Sequence, residues 1–121
     1  MDIEQYRNYC LTKAGVTESI PFSKLPDLLV FKVMGKMFTA TDLNTFDSIT
    51  IKCQPETIDQ LRAEHIAVEE PSYLSKKHWN SVLLDGSISD KQLYEWIDIS
   101  YHLVVINLSK KIQTELKELS K

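Results

Sequence analysis

The residues best equipped for chemistry lie in one stretch, Pro71-Ser72-Tyr73-Leu74-Ser75-Lys76-Lys77-His78-Trp79-Asn80-Ser81-Val82-Leu83-Leu84. Lys76 and Lys77 supply ammonium groups suited to phosphates, Trp79 and Tyr73 offer faces on which a base stacks, and the Asn80 amide presents a donor and an acceptor to a base edge. His78 adds an imidazole to the same run. The competing reading is plain architecture. The lysines then form a solvated surface, Tyr73 and Trp79 pack into a core, and His78 or Asn80 bonds backbone at a strand end.

Catalysis finds no comparable cluster. There is no Gly-rich phosphate loop, no His-Glu-x-x-His pattern, no glycine pair around a nucleophilic serine and no cysteine motif. His65, His78 and His102 fall in three different elements, so no catalytic residue is assigned and the chain reads as non-enzymatic. Cys10 and Cys53 lack the spacing of metal ligands, and acids such as Asp2, Glu4, Glu56, Asp59, Glu64, Glu69 and Glu70 are scattered. A hard cation needs several oxygens converging on one point, so neither a metal site nor a cofactor is expected.

Composition sets the frame for these residues. A chain of 121 residues with 43% hydrophobic and 26% charged residues is ordinary for one folded domain spanning 1–121. Its net charge of −3 provides no global field for phosphates, so nucleic-acid binding has to rest on a local basic patch. The start Met-Asp-Ile-Glu-Gln lacks a secretory pattern, which with the two unpaired cysteines points to the cytoplasm. Apolar runs such as Leu28 to Phe31 and Leu103 to Ile106 are far short of the roughly 20 residues that cross a bilayer, so no membrane partner is expected.

The elements that must position the candidates follow from local patterns. Asp2 and Gln5 form a capping box ahead of an amphipathic helix over 3–14, with Ile3, Tyr6, Cys10 and Ala14 as its stripe and Gly15 as its stop. Residues 16–27 read as a short strand and an irregular loop ended by Pro26-Asp27. Two β-rich runs, Leu28 to Val33 and Lys36 to Thr41, make a hairpin whose turn is either Met34-Gly35 or Gly35-Lys36. Alternation places Leu29, Phe31, Val33, Phe38 and Ala40 toward a core and Val30, Lys32, Met37, Thr39 and Thr41 on the other side. A third strand, Ser48 to Cys53, puts Ile49, Ile51 and Cys53 inward and Ser48, Thr50 and Lys52 outward, after a turn over Asp42 to Asp47. Pro55 starts a short helix over about 55–64, Ile66 to Glu69 reads as a brief strand, and residues 77–84 form another, buried on both faces at Val82-Leu83-Leu84. Ser89 and Gln92 open the main core helix, with Leu93, Trp96, Ile97, Ser100, Leu103, Val104 and Leu108 on its buried face. Lys110-Lys111 are placed at its C-terminal end, and the tail is either a helical extension or frayed.

Several pieces in this order resemble one known family. They are Pro21-Phe22; Phe31-Lys32-Val33 with Gly35-Lys36-Met37-Phe38; Ile51-Lys52-Cys53 with Pro55-Glu56; Tyr73 with Lys76-Lys77-His78-Trp79-Asn80; and Ser100-Tyr101-His102-Leu103-Val104 with Lys110-Lys111. Together they are similar to the MmcQ/YjbR family over almost the whole chain. The resemblance implies an α+β, CyaY-like (frataxin-like) two-layer sandwich, its antiparallel sheet packed against N- and C-terminal helices. It also implies DNA as a partner, held through a double-wing arrangement. On this chain the nucleic-acid contacts would be Lys32, Lys36, Lys52, Lys76, Lys77, His78, Trp79 and Asn80. The alternative is a protein- or small-ligand-binding module built on the Lys-His-Trp-Asn region.

Overall fold

In the computed structural model, which describes residues 1–120, four helices and six strands follow one another as α1 (Ile3–Leu11), β1 (Val16–Ser19), β2 (Leu28–Val33), β3 (Lys36–Asp42), β4 (Ser48–Lys52), α2 (Pro55–Glu64), β5 (Val68–Glu69), β6 (Trp79–Leu83), α3 (Asp90–Ile106) and α4 (Lys110–Leu119). The strands form one antiparallel sheet in the order β1-β2-β3-β4-β6-β5. Because β4 and β5 both run antiparallel to β6, they are parallel to each other, and α2 is the crossover between them.

Local chemistry accounts for most of the boundaries. The Asp2 carboxylate accepts from the Gln5 N–H at 2.8 Å while the Gln5 amide oxygen accepts from the Asp2 N–H at 2.9 Å, a complete capping box. The helix it starts ends at Leu11, three residues before the stripe does, and Gly15 at φ +72 turns the chain into β1. The hairpin turn is Met34-Gly35, both at positive φ, with Val33 facing Lys36 across it. Pro55 occupies the first turn of α2, and the Ser89 hydroxyl accepts from Gln92 N–H to open α3.

One core fills the space between the helices and one face of the sheet. Tyr6 and Cys10 of α1, Ile58 of α2, Ile97 and Val104 of α3 and Leu116 of α4 meet Leu29, Phe31, Phe38, Ile49, Ile51 and Val82 there. The alternation in β3 departs from a simple strand. Phe31 pairs with Thr39 and Lys32 with Met37, so Phe38 is an extra residue in β3, a β-bulge. Phe38 and Phe31 share the helix-facing side, as the hairpin parity requires, but beyond the bulge the faces exchange. Thr39 and Thr41 point to the helices and Ala40 points away, the reverse of the alternation extrapolated from sequence. The two hydroxyls are satisfied by the neighbouring strand: Thr39 donates to the Thr50 carbonyl at 2.8 Å and Thr41 to the Ser48 carbonyl at 2.7 Å. Since the single Thr39 proton is used in this way, the Tyr6 hydroxyl 2.9 Å away donates to Thr39 Oγ1. Burial then holds the Tyr6 phenol well above its ordinary pKa.

At the bulge β3 and β4 part, and α3 enters the seam. The Lys52 N–H donates to Ser100 Oγ at 2.8 Å and the Ser100 hydroxyl donates in turn to the Phe38 carbonyl. A side chain from the helix layer thus joins the ladder where the β3–β4 pairing ends.

Three further features differ from the sequence reading. Leu83 and Leu84 are only half-buried, so β6 is covered completely on the helix side alone. Lys110-Lys111 lie in the first turn of a separate helix, because Asn107 ends α3 and the Ser109 hydroxyl, accepting from Ile112 N–H at 3.2 Å, starts α4. The outer face of the sheet is not bare. Val30 and Ala40 on that face are fully buried, and the 20–27 and 70–78 loops come together over it, with Pro21, Phe22 and Leu25 lining one groove with Tyr73 and Leu74.

Replacing Ser100 by Ala leaves the Lys52 N–H and Phe38 carbonyl without their shared partner in a buried seam. Equilibrium urea unfolding of Ser100→Ala is expected to show a loss of about 1–3 kcal/mol, whereas an unchanged midpoint would show that the relay contributes nothing.

Candidate functional site

The strand register gathers the eight candidate residues at one end of the sheet. The C-terminal ends of β2 and β4 and the N-terminal ends of β3 and β6 coincide there. Lys32 sits opposite Met37 and Thr17 on the outer face, half-buried, and Lys36 is exposed beside the hairpin turn. Lys52 ends β4 opposite Trp79, which begins β6, and its ammonium lies 6.0 Å from the centre of the indole ring. Trp79 is half-buried, neither a core residue nor a free one. Lys36, Met37, Lys52 and Trp79 line a groove of about 300 Å3 with Val104 of α3 and Asn107, which caps that helix. This contact with a helix on the opposite side of the sheet exists because β3 and β4 part at the Ser100 seam.

Lys76, Lys77 and His78 are exposed in the turn that precedes β6. Their backbone is anchored: the Ser75 carbonyl accepts from the N–H groups of His78 and Trp79 at 3.2 and 3.1 Å, and the His78 carbonyl accepts from Cys53 N–H at 2.7 Å. Asn80 is elsewhere. Its pairing with Ile51 turns it toward the helices, it has no exposed surface, and its amide is engaged on both sides. Nδ2 reaches the Ile58 carbonyl at 3.4 Å and the Cys53 sulfur at 3.6 Å, and Oδ1 accepts from Arg62 Nε at 2.6 Å. Asn80 is therefore a structural residue rather than a contact for a base edge. Its parity could have shown this, because Asn80 and the core residue Val82 stand two positions apart on one strand.

Arg62 is the residue that sequence reasoning missed. Its guanidinium bonds the Asn80 side chain, the Lys76 carbonyl at 2.7 Å and the Trp79 carbonyl at 3.1 Å, and faces Asp59 and Glu70 at 3.5 and 3.8 Å. A planar fork suits this task, since two carbonyls and an amide oxygen lie around it. It fastens the turn carrying Lys76, Lys77 and His78 to α2, and an open groove of about 450 Å3 lies between them. Nothing in the spacing of the sequence marks this anchoring role, because the three oxygens that Arg62 fastens belong to residues 14 to 18 positions away.

Neither thiol is a reactive group at this end. Burial pushes the Cys53 thiol up to about 11 and the Cys10 thiol up to about 12, so both stay protonated near neutral pH. His65 rests edge-on against Trp96, while His78 and His102 are exposed on different elements. Among the described residues no group of three or more His, Cys, Asp or Glu is disposed to hold a metal ion, and no helix is long and apolar enough to cross a membrane.

A six-stranded antiparallel sheet carrying helices on one face, with a lysine-rich end beside a partly covered tryptophan, defines an α+β class with known relatives. A Deinococcus radiodurans protein, DR2400, described as a DUF419 domain, superposes with a TM-score of 0.87 at 31% identity, covering 95% of this chain and 87% of that one. A Pseudomonas syringae protein superposes with a TM-score of 0.71 at 26% identity, over 85% of this chain and 98% of the other. Residues 11–103 match the YjbR family, and the chain belongs to it. It is 32% identical over 106 residues to "Uncharacterized protein YjbR" of Escherichia coli K12, covering 87% of this chain and 88% of that protein. To "Uncharacterized protein YyaQ" of Bacillus subtilis it is 27% identical, over 75% of this chain and 87% of the relative.

The anchoring role of Arg62 has a direct consequence. Arg62→Met keeps the aliphatic stem but strands the buried Asn80 oxygen and two carbonyls. We expect about 2–3 kcal/mol lower stability in urea and faster hydrogen exchange at the His78 and Trp79 amides. Wild-type exchange at those two amides would refute the anchoring role.

Proposed function

We propose that this protein acts by binding rather than catalysis, and that its partner is DNA held at the lysine-rich end of the sheet. The observation that carries this reading is the register that sets Lys32, Lys52 and Trp79 on the outer face of one sheet end, with Lys36 at the adjoining hairpin tip. Ammonium groups there serve phosphates, and the half-buried indole serves as a stacking surface for an unpaired base. Lys76, Lys77 and His78 extend the contact from the turn before β6. That turn and the Met34-Gly35 hairpin tip are the two projections corresponding to a double-wing arrangement on a CyaY-like sandwich. The same reading implies a cytoplasmic protein.

Its strength and selectivity follow from the chemistry. Asn80 is withdrawn from the surface, leaving ammonium groups and one ring, so recognition is tolerant of sequence and dominated by counterion release. The net charge of −3 keeps it weak at physiological salt. A ligand-binding role for the Lys-His-Trp-Asn region is the alternative, favoured by the groove that Arg62, Lys76, Lys77 and His78 line with Asp59 and Glu70.

Fluorescence anisotropy with labelled single-stranded and duplex DNA across a salt series separates these readings. Binding should weaken with salt at a slope of about −0.7 per phosphate contact for a single strand and about −0.9 for duplex. A Lys36→Ala, Lys52→Ala variant should reduce that slope by one to two contacts. Absence of binding at low salt, or binding insensitive to salt, rejects the DNA reading.

A further inference from the structure

The opposite end of the outer face has different chemistry. There the 20–27 and 70–78 loops enclose a cleft of about 420 Å3 above the sheet. Its floor is polar: Thr50 and Ser81 are cross-strand partners, and Ser48 stands two residues from Thr50 on the same face. Tyr73 forms a wall, its hydroxyl 3.1 Å from the Thr50 hydroxyl, so one loop is tied directly to the floor. Asp27, Asp42 and Asp47 stand around the cleft with a single cation, Lys24.

Most of these polar groups have no partner in the protein. The Asp42 carboxylate is used, accepting from the N–H groups of Asn44 and Thr45 at 2.8 and 3.1 Å. Among the described residues, no side-chain bond is made by Lys24, Asp27, Asp47, Ser48, Ser72 or Ser81. The carboxylates are not disposed to share a bare metal ion. They suit a larger cation that reaches them while filling the cleft.

An apolar groove of about 410 Å3, lined by Phe22 and Leu74 among others, adjoins this cleft, and Lys24, Leu25 and Tyr73 border both. Phe22 and Leu25 are 43% and 40% exposed, apolar surface that this chain leaves uncovered. Hydroxyls and carboxylates at one side and an apolar lobe at the other match a molecule with one charged end and one apolar end.

From this arrangement we infer that the cleft is a binding site for a small organic amine, its ammonium held by Asp27, Asp47 and the Ser48 and Ser81 hydroxyls and its apolar body seated against Phe22, Leu25 and Tyr73. The site is separate from the lysine-rich end and does not depend on the reading proposed for it.

Amide chemical-shift titration of the full chain with phenethylamine tests the inference, with phenethyl alcohol and phenylacetate as uncharged and anionic counterparts. Phenethylamine should give saturable shifts confined to residues around Leu25–Leu28, Ser48–Thr50 and Ser72–Tyr73, with a midpoint of about 1 mM or lower. Phenethyl alcohol and phenylacetate should bind at least about fivefold more weakly. Asp27→Asn with Asp47→Asn should weaken the amine about five- to tenfold without altering the spectrum elsewhere, since neither carboxylate supports the fold. Shifts that remain linear in phenethylamine, an equal response to phenethyl alcohol, or an unchanged midpoint in the folded variant would each overturn the site. Should the variant not fold, the three wild-type titrations still decide the matter.

Discussion

The Ser100 hydroxyl joins the helix layer to the sheet at the point where the sheet is irregular, and the lysine-rich end takes its shape from that junction. A bulge at Phe38 adds a residue to β3, and the β3–β4 pairing ends at Thr39 and Ile51, so the Phe38 carbonyl and the Lys52 N–H lie at its end. A hydroxyl both donates and accepts, so one fully buried serine satisfies both groups. Without it the seam would carry unpaired backbone in a dry environment, which is costly. With it, β3 and β4 separate over Lys36, Met37 and Lys52, and α3 and its cap contribute Val104 and Asn107 to a groove otherwise formed by the opposite face.

The same bulge explains why part of the fold was legible in the sequence and part was not. Capping signals at Asp2 and Ser89, Pro55 at the start of α2 and a two-residue turn containing Gly35 act over three or four residues, and each was readable as local chemistry, the turn only to within one residue. Alternation in β3 failed after Phe38, because a period-2 pattern shifts by one when a residue is added, and nothing local announces the addition. The break before α4 was obscured for a related reason. Leu108 continues the buried stripe of α3, while Ser109, which starts the next helix, reads as one polar residue among many.

At the candidate site, legibility divides along the same line. Lys32 and Lys52 stand on the outer face as alternation placed them, because strand parity is a local property. Asn80 was misjudged because its amide suggested contact with a partner, whereas its position, two residues from Val82, already set it toward the helices. Arg62 carried no signal at all, since its role depends on where β6 and the 70–78 loop pass α2. The covering of the outer face was hidden likewise: Phe22 and Tyr73 meet across some fifty residues of sequence, a juxtaposition set by the order β1-β2-β3-β4-β6-β5.

The outer face therefore carries lysines at one end and carboxylates at the other, and its dimensions let the two behave independently. Ser48 and Lys52 are the two ends of β4, four steps of about 3.3 Å apart, or about 13 Å. At physiological ionic strength the screening length is about 8 Å, so the aspartates only weakly offset the field that a phosphate meets at Lys52. At lower salt, where screening extends past the length of the strand, the acidic end would repel the same polyanion and turn it toward the lysines. A small net negative charge is consequently compatible with attraction for an anionic chain, because orientation rather than total charge decides what that chain meets first.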